Sequence, residues 1–274
     1  MSTPTAQLLP RVPQHLRVTQ RRVLVSEWTK LRSVRSTRWA LLAAVVLSIA
    51  LAAVASTVFV THWARMDPRE RAHFNPLDAA MVGLAFAQLA IGVLGVLVIS
   101  AEYSTGMIRS SFSAVPRRLP VLWAKAAVFA AVTLALMVPS ALAAFFVSQS
   151  ILSTKHLEIA FSAPGVARAV IGAGLYLVVL GVLSLGIGTI VRNTAGGIAV
   201  IAGLLFVVPP LMGILPTSWN NAISPYLPSN AGQQIMSAVK VPHMLAPWTG
   251  FALFCGYALA VLGVAAVLLV RRDT

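Results

Sequence analysis

The sequence predicts an all-α membrane protein with six transmembrane helices. Each of six apolar segments can cross a bilayer, whose hydrocarbon core of about 30 Å needs roughly 20 helical residues. Their Ala, Val, Leu and Gly residues lack the period-two alternation of barrel strands, so helices are favoured. The chain of 274 residues is 58% hydrophobic and 10% charged, which excludes an ordinary soluble domain. The predicted spans are 39–61, 79–100, 121–149, 169–191, 195–215 and 248–270.

The distribution of positive charge predicts the orientation. With the N-terminus in the cytoplasm, the inner segments hold fifteen Lys and Arg residues and the outer segments hold six. An excess of inner positive charge is typical of multi-pass proteins of the plasma membrane. We therefore expect both termini, including the short tail 271–274, to be cytoplasmic. The net charge of +14 is then explained by topology, and we expect no nucleic-acid partner.

Residues 1–38 precede the first span and fall into two parts. Residues 1–17 contain three prolines without periodicity and are predicted to be a disordered lead. Residues 18–38 predict a basic amphipathic helix at the membrane interface, because Leu24, Trp28, Leu31 and Val34 recur at helical spacing. It is either a simple topogenic anchor or an elbow that also contacts a cytoplasmic partner. The candidate elbow residues are Glu27, Trp28, Lys30, Leu31 and Arg32.

The loop between the second and third spans, residues 101–120, has an unusual composition. It contains one acid, three arginines, one glycine and two prolines. Residues 104–115 could form a short helix, with Ile108 and Phe112 near one face. Such a helix can insert into a groove on another protein. The alternative is an ordinary surface connection.

The later spans carry signals for packing and for interruptions. Pro139 predicts a kink in the third span. Five glycines in the fourth span favour tight helix packing over a substrate path. Residues 191–194 predict a minimal turn, and Pro209-Pro210 should interrupt the fifth span. The outer segment 216–247 is predicted to contain a helix at 231–239, capped by Ser229, that lies on the outer leaflet or dips into it.

The chain lacks the usual residues of enzymes and ion-driven transporters. The five histidines lie outside the spans, Cys255 is the single cysteine, and neither H-E-x-x-H nor G-x-x-x-x-G-K-[ST] occurs. Gln88 is the only strongly polar residue inside the second span, which gives little support for a secondary transporter. We therefore expect a non-enzymatic membrane subunit that binds no metal or cofactor and takes its energy from elsewhere.

Two segments together resemble a known family. The run SEWTKLRSVRST at 26–37 resembles the elbow of actinobacterial ABC-2 type permeases. The run EYSTGMIR at 102–109, followed by a Pro-Arg-Arg and by Lys125, resembles their loop between the second and third spans. Met107 replaces a Thr of many relatives. On this resemblance the candidate residues for coupling to an ATPase are Glu102, Tyr103, Gly106, Ile108, Arg109, Phe112, Pro116, Arg117 and Arg118.

The resemblance implies an ABC-2 type exporter fold and an efflux function. It implies that two permease subunits, a homodimer or a related pair, associate with ATPase subunits that bind ATP and Mg. Lipids, hydrophobic drugs and peptides are equally acceptable substrates. We also expect an ion pair between Glu102 and Lys125, exposed and therefore weak. The alternatives are a structural or regulatory membrane protein and, with less support, a secondary transporter.

Overall fold

The computed structural model describes residues 19–104, 118–239 and 241–271, and these form helices joined by short connections, without strands. Six helical stretches are long and apolar enough to cross a membrane, at Arg35–Arg65, Pro76–Tyr103, Leu119–Lys155, Val166–Val191, Thr194–Met212 and Pro247–Arg271. They confirm the six predicted spans. The helices are α1 Gln20–Ser33, α2 Arg35–His62, α3 Pro68–His73, α4 Pro76–Ser104, α5 Arg118–Leu152, α6 Val166–Val191, α7 Thr194–Ala202, α8 Val208–Met212, α9 Thr217–Ile223, α10 Pro228–Gln233 and α11 Pro247–Arg271.

The predicted elbow ends earlier than the sequence pattern suggests. Helix α1 stops at Ser33, and Val34 is extended with φ −75° and ψ 112°. The first span begins at Arg35, so residues 35–38 belong to α2 rather than to the elbow. The break lets α1 leave the axis of the first span and lie against the start of the third. We call this end of the bundle, which the charge distribution predicts to be cytoplasmic, the inner end.

The fourth span, α6, forms the centre of the bundle. It packs against the second, third and sixth spans, while the first span packs against the second and third. A Cβ atom built on Gly174 would lie 2.8 Å from Val138 Cα, and one on Gly188 would lie 3.1 Å from Val96 Cα. The fourth-span glycines therefore allow close helix contacts, as predicted. Helix α5 continues through Pro139 without interruption.

The fifth span is irregular near its prolines. Helix α7 gives way to a π-helical turn, Gly203–Val207, before α8 begins at Val208. Pro209 and Pro210 have no N–H groups to donate to carbonyls one turn earlier, so the widened turn precedes them. At the other end, Arg192 adopts a left-handed conformation and Asn193 Oδ1 accepts a 2.9 Å hydrogen bond from Gly196 N. The predicted minimal turn between the fourth and fifth spans is confirmed.

The outer segment before the sixth span inserts among the spans. Ile235 is fully buried, and its carbonyl oxygen would lie 2.9 Å from a Cβ atom on Gly172. Gly232 lies against Tyr176 and Phe254, whose rings stack at 5.3 Å. Tyr176 lies ten residues after the start of α6 at Val166, so this segment extends about 15 Å along the fourth span.

The predicted bounds of the outer helix are wrong. Helix α10 runs over Pro228–Gln233 and continues as a 3₁₀ turn, Gln234–Met236. Leu227, not Ser229, occupies the N-cap position, because Pro228 already has the fixed φ suited to the first helical position. Ile235 in the 3₁₀ turn is buried, whereas Val239, the last residue of the predicted helix, lies beyond that turn and is exposed.

Candidate functional site

Helix α1 is attached to the inner end of the third span. Val23 packs with Val121 and Ala124 in a small apolar cluster. The Gln20 side-chain amide donates a 3.3 Å hydrogen bond to the carbonyl oxygen of Pro120. These contacts fix the face of α1 on which Glu27 lies, one helical turn after Val23.

Four charged side chains form a closed ring at this contact. Lys125 Nζ lies 2.6 Å from Glu27 Oε2 and 2.8 Å from Glu102 Oε1. Lys30 Nζ lies 2.7 Å from Glu27 Oε1 and 3.2 Å from Glu102 Oε1. Positive and negative groups alternate around the ring, so each carboxylate has two cationic neighbours. We call Glu27, Lys30, Glu102 and Lys125 the charge ring.

The charge ring is largely withdrawn from solvent. The side chains of Glu27 and Lys125 are each 4% exposed and that of Glu102 is 6% exposed, whereas Lys30 is 29% exposed. The expectation that Glu102 and Lys125 form an ion pair is confirmed, but the expectation that the pair is exposed is wrong. Helix α1 covers it, which raises both the desolvation cost and the penalty for removing one partner.

The ring shifts the pKa values of its two members on α1, Glu27 and Lys30. Burial by itself raises the pKa of Glu27, but the neighbouring ammonium groups of Lys125 and Lys30 outweigh burial, so its pKa lies below the ordinary value of 4.5. Burial by itself lowers the pKa of Lys30, but hydrogen bonding to Glu27 and the charge of Glu102 outweigh it, and its pKa is raised above 10.5. Both shifts favour the charged forms.

These shifts predict a loss of stability in acid. A carboxyl group with a lowered pKa stabilises the fold above its unfolded value, and this contribution disappears as pH falls through the folded pKa. Thermal unfolding in detergent should therefore shift to lower temperature as pH falls below about 4.5, the ordinary value for Glu27. Glu27→Gln should flatten this dependence. An unchanged pH dependence in that variant would contradict the assignment.

A pocket of about 160 Å³ adjoins the charge ring. All four ring residues line it, together with apolar side chains of the first, second and third spans. It lies between α1 and the first, second and third spans, so a movement of α1 would change its shape.

A second contact joins the end of the second span to the turn between the fourth and fifth spans. The guanidinium of Arg192 lies 5.3 Å from the centre of the Tyr103 ring, a cation–π geometry. The Thr194 hydroxyl donates a 2.9 Å hydrogen bond to the Ser100 hydroxyl. The inner end of the second span is therefore held on one side by the charge ring and on the other by this turn.

The elbow residues predicted from sequence divide between two faces of α1. Glu27 and Lys30 belong to the ring, and Leu31 lines the adjoining pocket. Trp28 is 48% exposed and Arg32 is also exposed, so neither packs into the protein. The sequence did not identify Glu27 as a buried partner of Lys125, although an acid one turn after Val23 in a basic helix was a usable signal.

Among the predicted coupling residues, the structure places Glu102 and Tyr103 at the inner end of the second span. Arg118 begins α5. The predicted helix 104–115 falls mostly outside the described residues. So do Gly106, Ile108, Arg109, Phe112, Pro116 and Arg117, and the predicted lead 1–17.

Sequence reasoning also missed the polar contact deep in the bundle. The Tyr176 hydroxyl donates a 3.0 Å hydrogen bond to Gln88 Oε1, and both residues are buried. This pair joins the second and fourth spans beside the inserted outer segment. Gln88 was noted as a lone polar group, and its partner depends on helix packing that no local pattern gives.

Comparison with known proteins does not place the chain in a family. No protein-family model and no curated protein matches its sequence. In the part of the chain that the structure describes, no group of three or more His, Cys, Asp or Glu residues could hold a metal ion. The geometry of the site is that of a paired charge cluster between a surface helix and the inner ends of the second and third spans.

Proposed function

We propose that this chain is the membrane-spanning permease subunit of an ABC-2 type exporter in the plasma membrane. ATP and Mg would bind to a separate ATPase subunit, and the permease would be non-enzymatic, with both termini cytoplasmic. The family resemblance of residues 26–37 and 102–118 suggests this function. The observation that carries it structurally is the charge ring.

The charge ring supports a mechanical role for the inner end. It joins α1, the end of the second span and the start of the third, and the last two flank the loop that resembles an ATPase-docking loop. Because separating buried charges is costly, the three elements should move together. Helix α1 continues through Val34 into the first span. A displacement of the loop would therefore be transmitted to the first, second and third spans together.

The contact between Tyr103 and Arg192 extends this connection to the fourth and fifth spans. Such rigid-body movement of packed helices is a common way to alternate between two states. The first, fifth and sixth spans leave most of their surfaces uncovered within one chain. These surfaces are available to lipid and to the second permease copy that we propose.

Copurification tests this function and the role of the loop. Coexpressed with its ATPase, the chain should retain that protein through purification, and substrate should stimulate ATP hydrolysis. Phe112→Ala should weaken copurification or uncouple hydrolysis from transport, because an apolar anchor at an interface centre commonly contributes about 2 kcal/mol or more. Arg117→Ala is the matched control, with a smaller effect that declines as salt is raised.

Three outcomes would contradict the proposal. ATP hydrolysis by the purified chain alone would overturn the division of labour between subunits. Transport that persists without any ATPase and follows a proton gradient would indicate a secondary transporter. A chain that binds no ATPase and moves no substrate would be a structural or regulatory membrane protein.

A further inference from the structure

The pocket beside the charge ring is elongated along the second span. It reaches from Glu102 to Leu94, eight residues earlier in α4, or about 12 Å along the helix. Below the ring its walls are apolar, with Ala40, Leu94, Leu97, Val98 and Val128 among the lining residues. We call this pocket the inner groove.

The size and the opening of the inner groove suit an apolar chain. Its volume of about 160 Å³ is close to that of engineered apolar cavities that bind benzene. Val34 and Leu97 line it and are 45% and 37% exposed. Leu97 belongs to the second membrane-crossing helix and Val34 directly precedes the first, so we expect the opening to face lipid rather than water.

Arginines close in sequence to the lining residues of the inner groove indicate that the headgroup is anionic. Arg32, Arg35 and Arg38 are exposed, and each is a sequence neighbour of a lining residue. The four charges of the ring neutralise one another, so attraction for an anion has to come from arginines outside the ring, such as these three. Basic residues near the inner leaflet attract anionic lipids, with about 1 kcal/mol per residue.

We propose that the inner groove binds an acyl chain of an anionic phospholipid from the inner leaflet, with the headgroup beside Arg32, Arg35 and Arg38. An acyl chain in this position would exclude water from the lower side of the charge ring. Attraction between the ring charges increases in a medium of lower dielectric constant. The lipid would therefore strengthen the attachment of α1, and this inference does not depend on the ATPase partner.

Photocrosslinking tests the site. The full chain in nanodiscs is exposed to phosphatidylglycerol that carries a diazirine in its acyl chain, and adducts are mapped by mass spectrometry. Adducts should concentrate at Leu94, Leu97 and Val98, above the level at Leu89, an exposed residue of the same helix that does not line the groove. The same probe on phosphatidylcholine should label the groove several-fold less.

Two variants distinguish the contribution of the groove to lipid labelling from that of the neighbouring arginines. Ala40→Phe fills the groove and should lower labelling several-fold, whereas Ala43→Phe, on the exposed side of the same helix, should not. The double variant Arg35→Gln/Arg38→Gln leaves the groove open and should reduce phosphatidylglycerol labelling towards the phosphatidylcholine level, with Arg32 as the one remaining cation of the three. Equal labelling by the two lipids in the parent protein, or groove adducts unchanged by Ala40→Phe, would overturn the proposal.

Discussion

Replacing Lys125 by Met should lower the free energy of unfolding by about 3–5 kcal/mol, because it leaves two buried carboxylates with only one of the two cations that they share. Lys125 contacts both Glu27 and Glu102, at 2.6 and 2.8 Å. In the variant these two carboxylates would share only Lys30. Thermal or denaturant unfolding of the purified protein in detergent measures the loss.

Two comparisons make this result specific to the charge ring. Lys155→Met changes an exposed lysine at the other end of the same span and should have little effect. The double variant Glu27→Gln/Lys125→Met retains one acid and one base, Glu102 and Lys30, which lie 3.2 Å apart. It should be more stable than Lys125→Met alone. No recovery in the double variant would show that charge balance is not what holds the ring together.

Gly83→Ala should destabilise the protein by about 1–3 kcal/mol, the usual cost of overpacking. Gly83 in the second span lies against the backbone of Ser48 in the first. A Cβ atom there would lie 2.6 Å from Ser48 Cα and 2.8 Å from its carbonyl carbon. Backbone atoms cannot rotate away as a side chain can, so the two spans would have to separate.

A control substitution elsewhere should have the opposite effect on stability. Gly256 lies in the sixth span, and apart from its chain neighbours and the adjacent backbone of its own helix no atom lies within 4 Å of a built Cβ. Since alanine is favoured over glycine in a helix by about 1 kcal/mol, Gly256→Ala should be neutral or stabilising. The unfolding midpoints of Gly83→Ala and Gly256→Ala, measured in the same detergent, test this difference. Equal effects at the two positions would mean that the first and second spans do not approach closely at Gly83.

The fold class could be predicted from the sequence because hydropathy and helix length are local properties of each segment. At eleven of the twelve span ends the predicted boundary lies within four residues of the observed one, and the turn at 191–194 was placed correctly. The observed helices generally extend further, since polar residues flanking a span continue the same hydrogen-bond pattern. The predicted end of the elbow helix is wrong. The pattern of basic and apolar residues continues past Val34, whereas the backbone changes direction there.

The sequence by itself determined the number of spans, their approximate ends and the candidate residues at the inner end. Only the tertiary structure decided which of those residues meet. Lys125 and Glu27 are separated by 98 positions, and Tyr176 and Gln88 by 88, so no helical spacing could pair them. The burial of Glu102 and Lys125 likewise depends on α1 covering them. Charge pairing and burial follow from packing between distant segments, whereas membrane insertion follows from the composition of each segment.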